Sequence, residues 1–524
     1  MTSSRALARA GLIVSAAFLV SRILGWLRYV VFAHVFPAGT ELDSFFAAFR
    51  LPDLIFQLVA AGALSSAVIP VVSTLLATEE TERAWRVVST IANLMLAALL
   101  ALGIVVLIAA PWIMPAITPG YGPAQIEQIV LLTRIMVLSP IFLAMGSLAT
   151  SVLNAGGRFA ASAIAPIVYN LAIIGGALLL VPTFGVTGLA VGVVAGSLGH
   201  LLVQLAPLTR LGFRYDRAIE LSDPEARKAL ALMAPRALGL GAGQITFVVV
   251  TSIASGLGNG ALTAFNYAFT LLQIPIGVIG VPVGIVVLPS LARVASLGDL
   301  HEFGALMSRA IRLILFTMIP ITGIAIVLRH DIVQVLFGYG KFDAAAIDQT
   351  AATFLAFLVG LTAHTLIAVL ARAFYARHDT RTPVAAAILA VVVNSTLAAI
   401  LAGPLGLPGL GLAIAIAAWL EAIVLVVLLR RALPELALGP IASLAIRCVV
   451  MTIIASAAAA AIAAGLDLVG GSDPSRLGLI VRLAVVGTVW LLTSAFLAVA
   501  LRIGELNAMI GLMLDLLRRP RASA

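Results

Sequence analysis

Charge is scarce in this chain. Only 10% of its 524 residues are Asp, Glu, Lys or Arg, and 62% are hydrophobic. A soluble domain carries about 25% charged residues. Two soluble domains of this length could not bury so much apolar surface, and the mean hydropathy of +1.15 points to a chain solvated by lipid. Cysteine is nearly absent. Cys448 is the only one and lies in an apolar segment, which excludes an intramolecular disulfide and a thiol metal site. Enzyme signatures are missing as well: there is no phosphate loop ending in Gly-Lys-Ser/Thr and no pair of histidines at metal spacing on one helix. The run Gly239-Leu240-Gly241-Ala242-Gly243 sits inside an apolar stretch and reads as packing or a hinge. No catalytic residue, metal or cofactor is expected. The net charge is +9, but no basic run interleaves with aromatics, so nucleic acid is not an expected partner.

What the chain does have is apolar runs of Leu, Val, Ala and Ile at helical length. They are not the ten-residue alternating segments of a barrel. Between turn signals and charges the runs fall at about 10–36, 45–77, 86–114, 126–154, 160–181, 186–208, 229–256, 261–291, 308–329, 346–376, 383–402, 408–430, 441–466 and 477–502. The fold expected is an all-α polytopic membrane protein with about fourteen transmembrane helices. An even count puts both termini on one side. With that side cytoplasmic, about 23 Arg and Lys fall in cytoplasmic loops and tails and about 4 outside (Arg329, Lys341, Arg476 and Arg482), which sets the orientation by the positive-inside rule. Arg5 and Arg9 before the first run superficially resemble a signal peptide. The run is too long and lacks a clear small-residue cleavage site, so it reads as a first, retained helix.

An internal repeat divides the chain. Phe184-Gly185-Val186-Thr187-Gly188-Leu189-Ala190 is similar to Leu405-Gly406-Leu407-Pro408-Gly409-Leu410-Gly411. Pro70 has a counterpart in Pro289, and Asn170 and Asn394 follow Arg158 and Arg381 at nearly the same distance. The expected organisation is an N-lobe at 1–215 (helices one to six) and a C-lobe at 216–432 (helices seven to twelve). Residues 433–524 then hold helices thirteen and fourteen and a cytoplasmic tail, of which 505–519 reads as an interfacial amphipathic helix. Six helices per repeat keep the halves in the same orientation, and such halves usually enclose a central cavity and rock about it.

Arg22 lies near the middle of the first run, roughly 15 Å from either end of a helix rising ~1.5 Å per residue. A long arginine snorkels from near an interface but hardly from the centre. A cation there is costly unless it faces a watery cavity or an anion. The chain therefore reads as one that moves or holds something negative inside the membrane. Arg28, Asp43, Arg50 and Asp53 complete the densest set of membrane charges. Gly25 offers a bend that lets Arg22 and Arg28 face one cavity. Blander readings stand beside these: Arg28 as an interface anchor, and Arg50 with Asp53 as a structural pair three residues apart. Arg236, after Pro235 at the start of the seventh helix, reads first as a snorkelling residue near the cytoplasmic face. His200 and His364 read as interior hydrogen-bonding histidines, and Glu421 as a weaker candidate for a protonation site.

The stretch Ser21-Arg22-Ile23-Leu24-Gly25-Trp26-Leu27-Arg28 resembles the first-helix motif of the MurJ/MviN family of lipid II flippases. So do Leu42-Asp43-Ser44-Phe45-Phe46-Ala47-Ala48-Phe49-Arg50-Leu51-Pro52-Asp53 and Gly62-Ala63-Leu64-Ser65-Ser66-Ala67-Val68-Ile69-Pro70. Further matches are Leu153-Asn154 with Arg158-Phe159, Pro282 through Leu288-Pro289-Ser290, Tyr339-Gly340-Lys341-Phe342, and Phe374-Tyr375-Ala376-Arg377 with Thr382-Pro383. The resemblance implies the multidrug/oligosaccharidyl-lipid/polysaccharide exporter fold, with two six-helix lobes and two extra helices forming a groove for a lipid tail. It implies flipping of the undecaprenyl-pyrophosphate-linked peptidoglycan precursor, lipid II, across the bacterial cytoplasmic membrane by alternating access, for cell-wall synthesis. The implied partners are a lipid-linked pyrophosphate glycan as substrate and membrane lipids, with cell-wall synthesis proteins as further candidates; a monomer is expected.

Carried over residue by residue, Arg22, Arg28 and Asp43 match charged cavity positions of the family, and Arg50 matches a position that is usually basic. There are departures. Two arginines often follow the Leu-Pro segment, where this chain has Phe56 and Gln57, and a Glu before the Gly-Ala is here Ala61. The family's Ala-Asp/Ser-Arg in the eighth helix reads Ala268-Phe269-Thr270. The acidic positions of the sodium site seen in some members correspond to Val250 and Ala398, with only Asn394 kept, so sodium coupling is not expected. The substrate-binding set is thus Arg22, Arg28, Asp43 and Arg50, with Arg236 added to offset Thr270. Two other transport readings stay open: an exporter of another polyprenyl-linked saccharide, and a cation–drug antiporter, which would need an acidic cavity. A membrane-embedded transferase would need a clustered acid, base or metal site that the sequence does not show.

Overall fold

The computed structural model describes residues 4–59, 63–468 and 475–506; the side chains of 4–15, 63–66, 232, 234–240 and 242 are not described. Lipid offers no partner to a backbone N–H or C=O, so each spanning segment must satisfy its own. Accordingly the chain is an all-α polytopic membrane protein, with no strand among the described residues. Eleven described helices are long and apolar enough to cross a membrane, twelve if Ala344–Leu358 and Leu361–Ala376, bent by 46°, form one span. The count of about fourteen is not reached there. The two remaining runs, 45–77 and 229–256, include residues or side chains outside those described, and their described apolar parts are the shorter Ala67–Ala77 and Gly243–Ser255. Residues 507–519 of the expected interfacial tail also lie outside the described residues.

Packing divides the chain into two units. The first is Met1–Thr263 with Gly340–Asp343, and the second is Ala264–Tyr339 with Ala344–Ala524. In the first, helix Pro224–Ser255 packs on Thr40–Val59, Ala63–Ala77 and Thr81–Ile117. In the second, Leu300–Phe337, Leu438–Leu468 and Arg476–Ala500 pack together around Leu328, Ala459 and Val486 and around Cys448, Met451 and Ala498. Arg482 ties the same three helices electrostatically. Its Nε is 3.1 Å from Asp331 Oδ2, and its Nη1 is in close contact with Asp467.

Turn geometry recurs about 220 residues apart. Gly185 (φ 55°, ψ −146°) and Gly406 (φ 60°, ψ −140°) share a backbone shape closed to ordinary side chains. Each accepts a bond from a glycine three residues on, Gly188 and Gly409, at 3.0 and 3.1 Å. Left-handed helix ends recur too, at Gly157 (φ 71°) and His378 (φ 60°). Each is followed by the six-to-one bond that closes a helix terminus, Arg158 N to Leu153 O and Asp379 N to Phe374 O, at 2.7 and 2.9 Å. Two of the long helices also share a defect. Pro182 and Pro282 have no N–H to give a carbonyl four residues back. The turns before them, Gly176–Leu180 and Ile276–Gly280, widen to π geometry.

The charged loop before Pro224 is anchored rather than loose. Asp223 accepts from Glu225 N at 2.8 Å as the helix cap, and from Arg83 Nε and Nη2 at 2.8 and 3.3 Å. The Arg83 guanidinium holds the Asp223 carboxyl below the usual carboxylate value. A depressed folded-state pKa contributes stability above the unfolded value of about 3.9, and that stability is lost as pH falls through the folded value. Asp223→Asn should therefore lower the melting temperature at pH 7, and the gap to wild type should shrink as pH falls below about 4. Thermal unfolding of both proteins across pH 3–7 reads it directly; a gap that does not narrow would show the cap acting without its charge.

Candidate functional site

The first unit gathers charged and aromatic side chains from four helices. Arg28 and Tyr29 come from helix Ser4–Val35, Arg50 and Asp53 from Thr40–Val59, Tyr169 from Phe159–Gly175, and Phe247 and Thr251 from Pro224–Ser255. Arg50 Nε donates to Thr251 Oγ1 at 2.9 Å, and its guanidinium lies 5.3 Å from the Phe247 ring centre. Asp53 and Tyr29 are within electrostatic reach of Arg50, and Gln57 lies near Asp53. Tyr169 has Arg28, Asp53 and Tyr29 as charged or titratable neighbours. Arg28 lies 5.4 Å from the ring of Tyr29, in the range of a cation–π contact. Its Nε is buried and has no hydrogen-bond partner. A buried donor left open costs about 1–3 kcal/mol, and more when charged. The cluster is thus a guanidinium site with donor capacity to spare, which suits an anion.

Arg22 sits six residues earlier on the same helix, about 1.7 turns. It is exposed, its Cζ 5.1 Å from the ring of Phe18, and among the described residues no carboxylate pairs with it. The helix is continuous through Gly25. Asn170 packs beside that glycine and donates to Ser21 O at 3.4 Å.

Asp43 has a different environment. It is fully buried, and its Oδ2 accepts from Gly260 N at 2.7 Å. Its Oδ1 accepts from Thr263 N and Thr263 Oγ1 at 2.8 and 2.6 Å. The Tyr121 hydroxyl lies near the same carboxylate, outside hydrogen-bond geometry. This is the geometry of a cap supplied from another helix: an anion against the first amides of the helix that begins at Ala261. Arg236 lies in a described helical backbone, but its side chain is outside the described residues.

The departures are also placed. Thr270 Oγ1 donates to Asn266 O at 2.8 Å, its own helix. Val250 and Ala398 are fully buried apolar residues, while both polar side-chain atoms of Asn394 are buried without a partner. Among the described residues no three His, Cys, Asp or Glu come together as a metal site. The interior hydrogen bonds expected of the two membrane histidines are missing at His200 Nδ1 and His364 Nε2, which are buried and unpartnered.

Sequence reasoning missed Tyr29, Tyr169, Phe247 and Thr251. Tyr29 was visible as an aromatic next to Arg28. Thr251, 201 residues from Arg50, carried no signal that a single sequence offers.

A family model described as lipid II flippase MurJ matches residues 32–469. The chain belongs to the lipid II flippase MurJ family. It is 32% identical over 433 residues to the lipid II flippase MurJ of Burkholderia cenocepacia, covering 81% of this chain and 84% of that one. It is 34% identical over 433 residues to the probable lipid II flippase MurJ of Rhizobium tropici, covering 80% of each. Among solved structures, the inward closed conformation of a lipid II flippase MurJ superposes with a TM-score of 0.78 at 23% identity, covering 94% of this chain and 99% of that one. An inward-facing MATE transporter of the MOP superfamily gives 0.63 at 15% identity, covering 81% and 98%. Those two likenesses show the shared fold. The family is one of transporters and not of enzymes, and this member is a multi-pass inner-membrane protein.

Proposed function

We propose that the chain carries lipid II, an undecaprenyl-pyrophosphate-linked peptidoglycan precursor, from the inner to the outer leaflet by alternating access, and so supplies cell-wall synthesis. The observation that carries this reading is Arg28, a guanidinium with an open buried donor in a membrane helix of a chain whose relatives are lipid II flippases. No covalent step is needed. The pyrophosphate takes charge-assisted hydrogen bonds from Arg22, Arg28 and Arg50, with Arg236 as a fourth contributor, in a cavity that opens to one membrane face and then the other. Asp43 belongs to the set as the residue that holds the first turn after Gly260 in place.

Both termini are cytoplasmic in this reading, as the loop charges favour. The lobes are 1–215 and 216–432, a division supported by the turn shared by Gly185 and Gly406. The protein works as a monomer. Its partners beyond the lipid-linked substrate are cell-wall synthesis proteins on either face. With Val250 and Ala398 where acids would bind sodium, membrane potential or protons drive the cycle. A second reading, export of another polyprenyl-linked saccharide, is favoured by Thr270 at a position the family keeps basic. Rescue of a cell depleted of its lipid II flippase separates the two. Growth supports the first reading; no growth, with the protein present in the membrane, promotes the second.

A further inference from the structure

The arginines of the second unit differ in how they are compensated. Arg312 pairs with Glu505 at 2.5 Å, and Arg482 with Asp331 and Asp467. Arg372, in helix Leu361–Ala376, has no carboxylate partner among the described residues. Its one protein acceptor there is Ala368 O, 3.0 Å from Nη1, out of the five N–H donors a guanidinium carries.

Helical side chains lean toward the N-terminus of their helix, and Arg372 follows that course, turning back one helical turn to Ala368. Its Nη1 end fills the space above Gly284 of helix Val281–Ser296: a Cβ at 284 would sit 1.4 Å from Nη1 and 2.4 Å from Cζ. Gly284 is therefore the residue that admits the guanidinium. A half-buried cation with one backbone acceptor, over a glycine that makes room for it, keeps N–H donors that an anion would accept. Thr270 does not supply the unit with a second cation, and its hydroxyl is already committed to Asn266 O.

We propose that Arg372 is a substrate-binding residue of the second unit, giving two N–H donors to phosphate oxygens of the lipid-linked substrate. A guanidinium offers a planar pair of donors that fits a phosphate. The inference rests on the function proposed above for the chemical class of the ligand and adds the residue that meets it.

The test uses the full chain in lipid nanodiscs, with native mass spectrometry reading the binding of lipid II, undecaprenyl pyrophosphate and uncharged undecaprenol. Arg372→Ala should weaken both pyrophosphates at least tenfold and leave undecaprenol unchanged, and Arg372→Lys should fall between. Gly284→Ala keeps the charge but displaces it, and should weaken the same two ligands at an intact melting temperature. It carries the test if Arg372→Ala does not fold. Wild-type affinity for lipid II in Arg372→Ala and Gly284→Ala would overturn the inference and leave the function standing. Wild-type protein that ignores lipid II but binds another pyrophosphate-linked saccharide through Arg372 would do the reverse. An equal loss for undecaprenol would show that Arg372 only shapes the helix contact, and would overturn it.

Discussion

Replacing Arg28 with alanine is expected to cut lipid II flipping by about 10- to 100-fold, the value of one charge-assisted hydrogen bond of about 1.5–3 kcal/mol. The open Nε of Arg28 is the reason. Its donor is unused in the protein, so its loss costs the fold little and the bound anion much. Arg28→Lys should recover part of the rate, because an ammonium keeps the charge but not the planar fork. Arg22→Ala is expected to fail in complementation while remaining inserted, since Arg22 is exposed on a membrane helix with no carboxylate beside it. Wild-type rescue by both variants would remove these residues from the transport path.

Asp43→Ala should produce the largest loss of stability. Three donors lose their acceptor at once: Gly260 N, Thr263 N and Thr263 Oγ1. Buried donors left open cost about 1–3 kcal/mol each, so about 3 kcal/mol or more is expected in total. Asp43→Asn keeps one carbonyl acceptor and should fall between. Detergent unfolding curves measure this. A normal melting temperature with abolished flipping would move Asp43 from a cap to a ligand of the substrate.

The fold was legible because hydropathy is a strong signal over 20 residues, and because glycines in forced turns mark a repeat. Gly185 and Gly406, matched by sequence, have nearly the same dihedral angles. The helix count was less secure. A run such as 346–376 holds two helices, Ala344–Leu358 and Leu361–Ala376, bent by 46° at a break that apolar content does not show. In the site, Arg22, Arg28 and Arg50 stood out because charge is costly in lipid. The environment of Asp43 did not, since its partners lie 217 and 220 residues away. A carboxylate that caps a distant helix and one that faces a cavity look alike in one dimension. Arg372 was hidden for a related reason. Near a helix end it reads as an ordinary interface arginine, and only the contact with Gly284 of another helix shows the room made for its guanidinium.

The most direct measurement is lipid II translocation in vesicles reconstituted with the purified chain, with and without a sodium gradient. The account predicts transport above protein-free vesicles, the same rate in both sodium conditions, and loss of that transport in Arg28→Ala. Folded wild-type protein that moves no lipid II, or transport indifferent to Arg28, would contradict it.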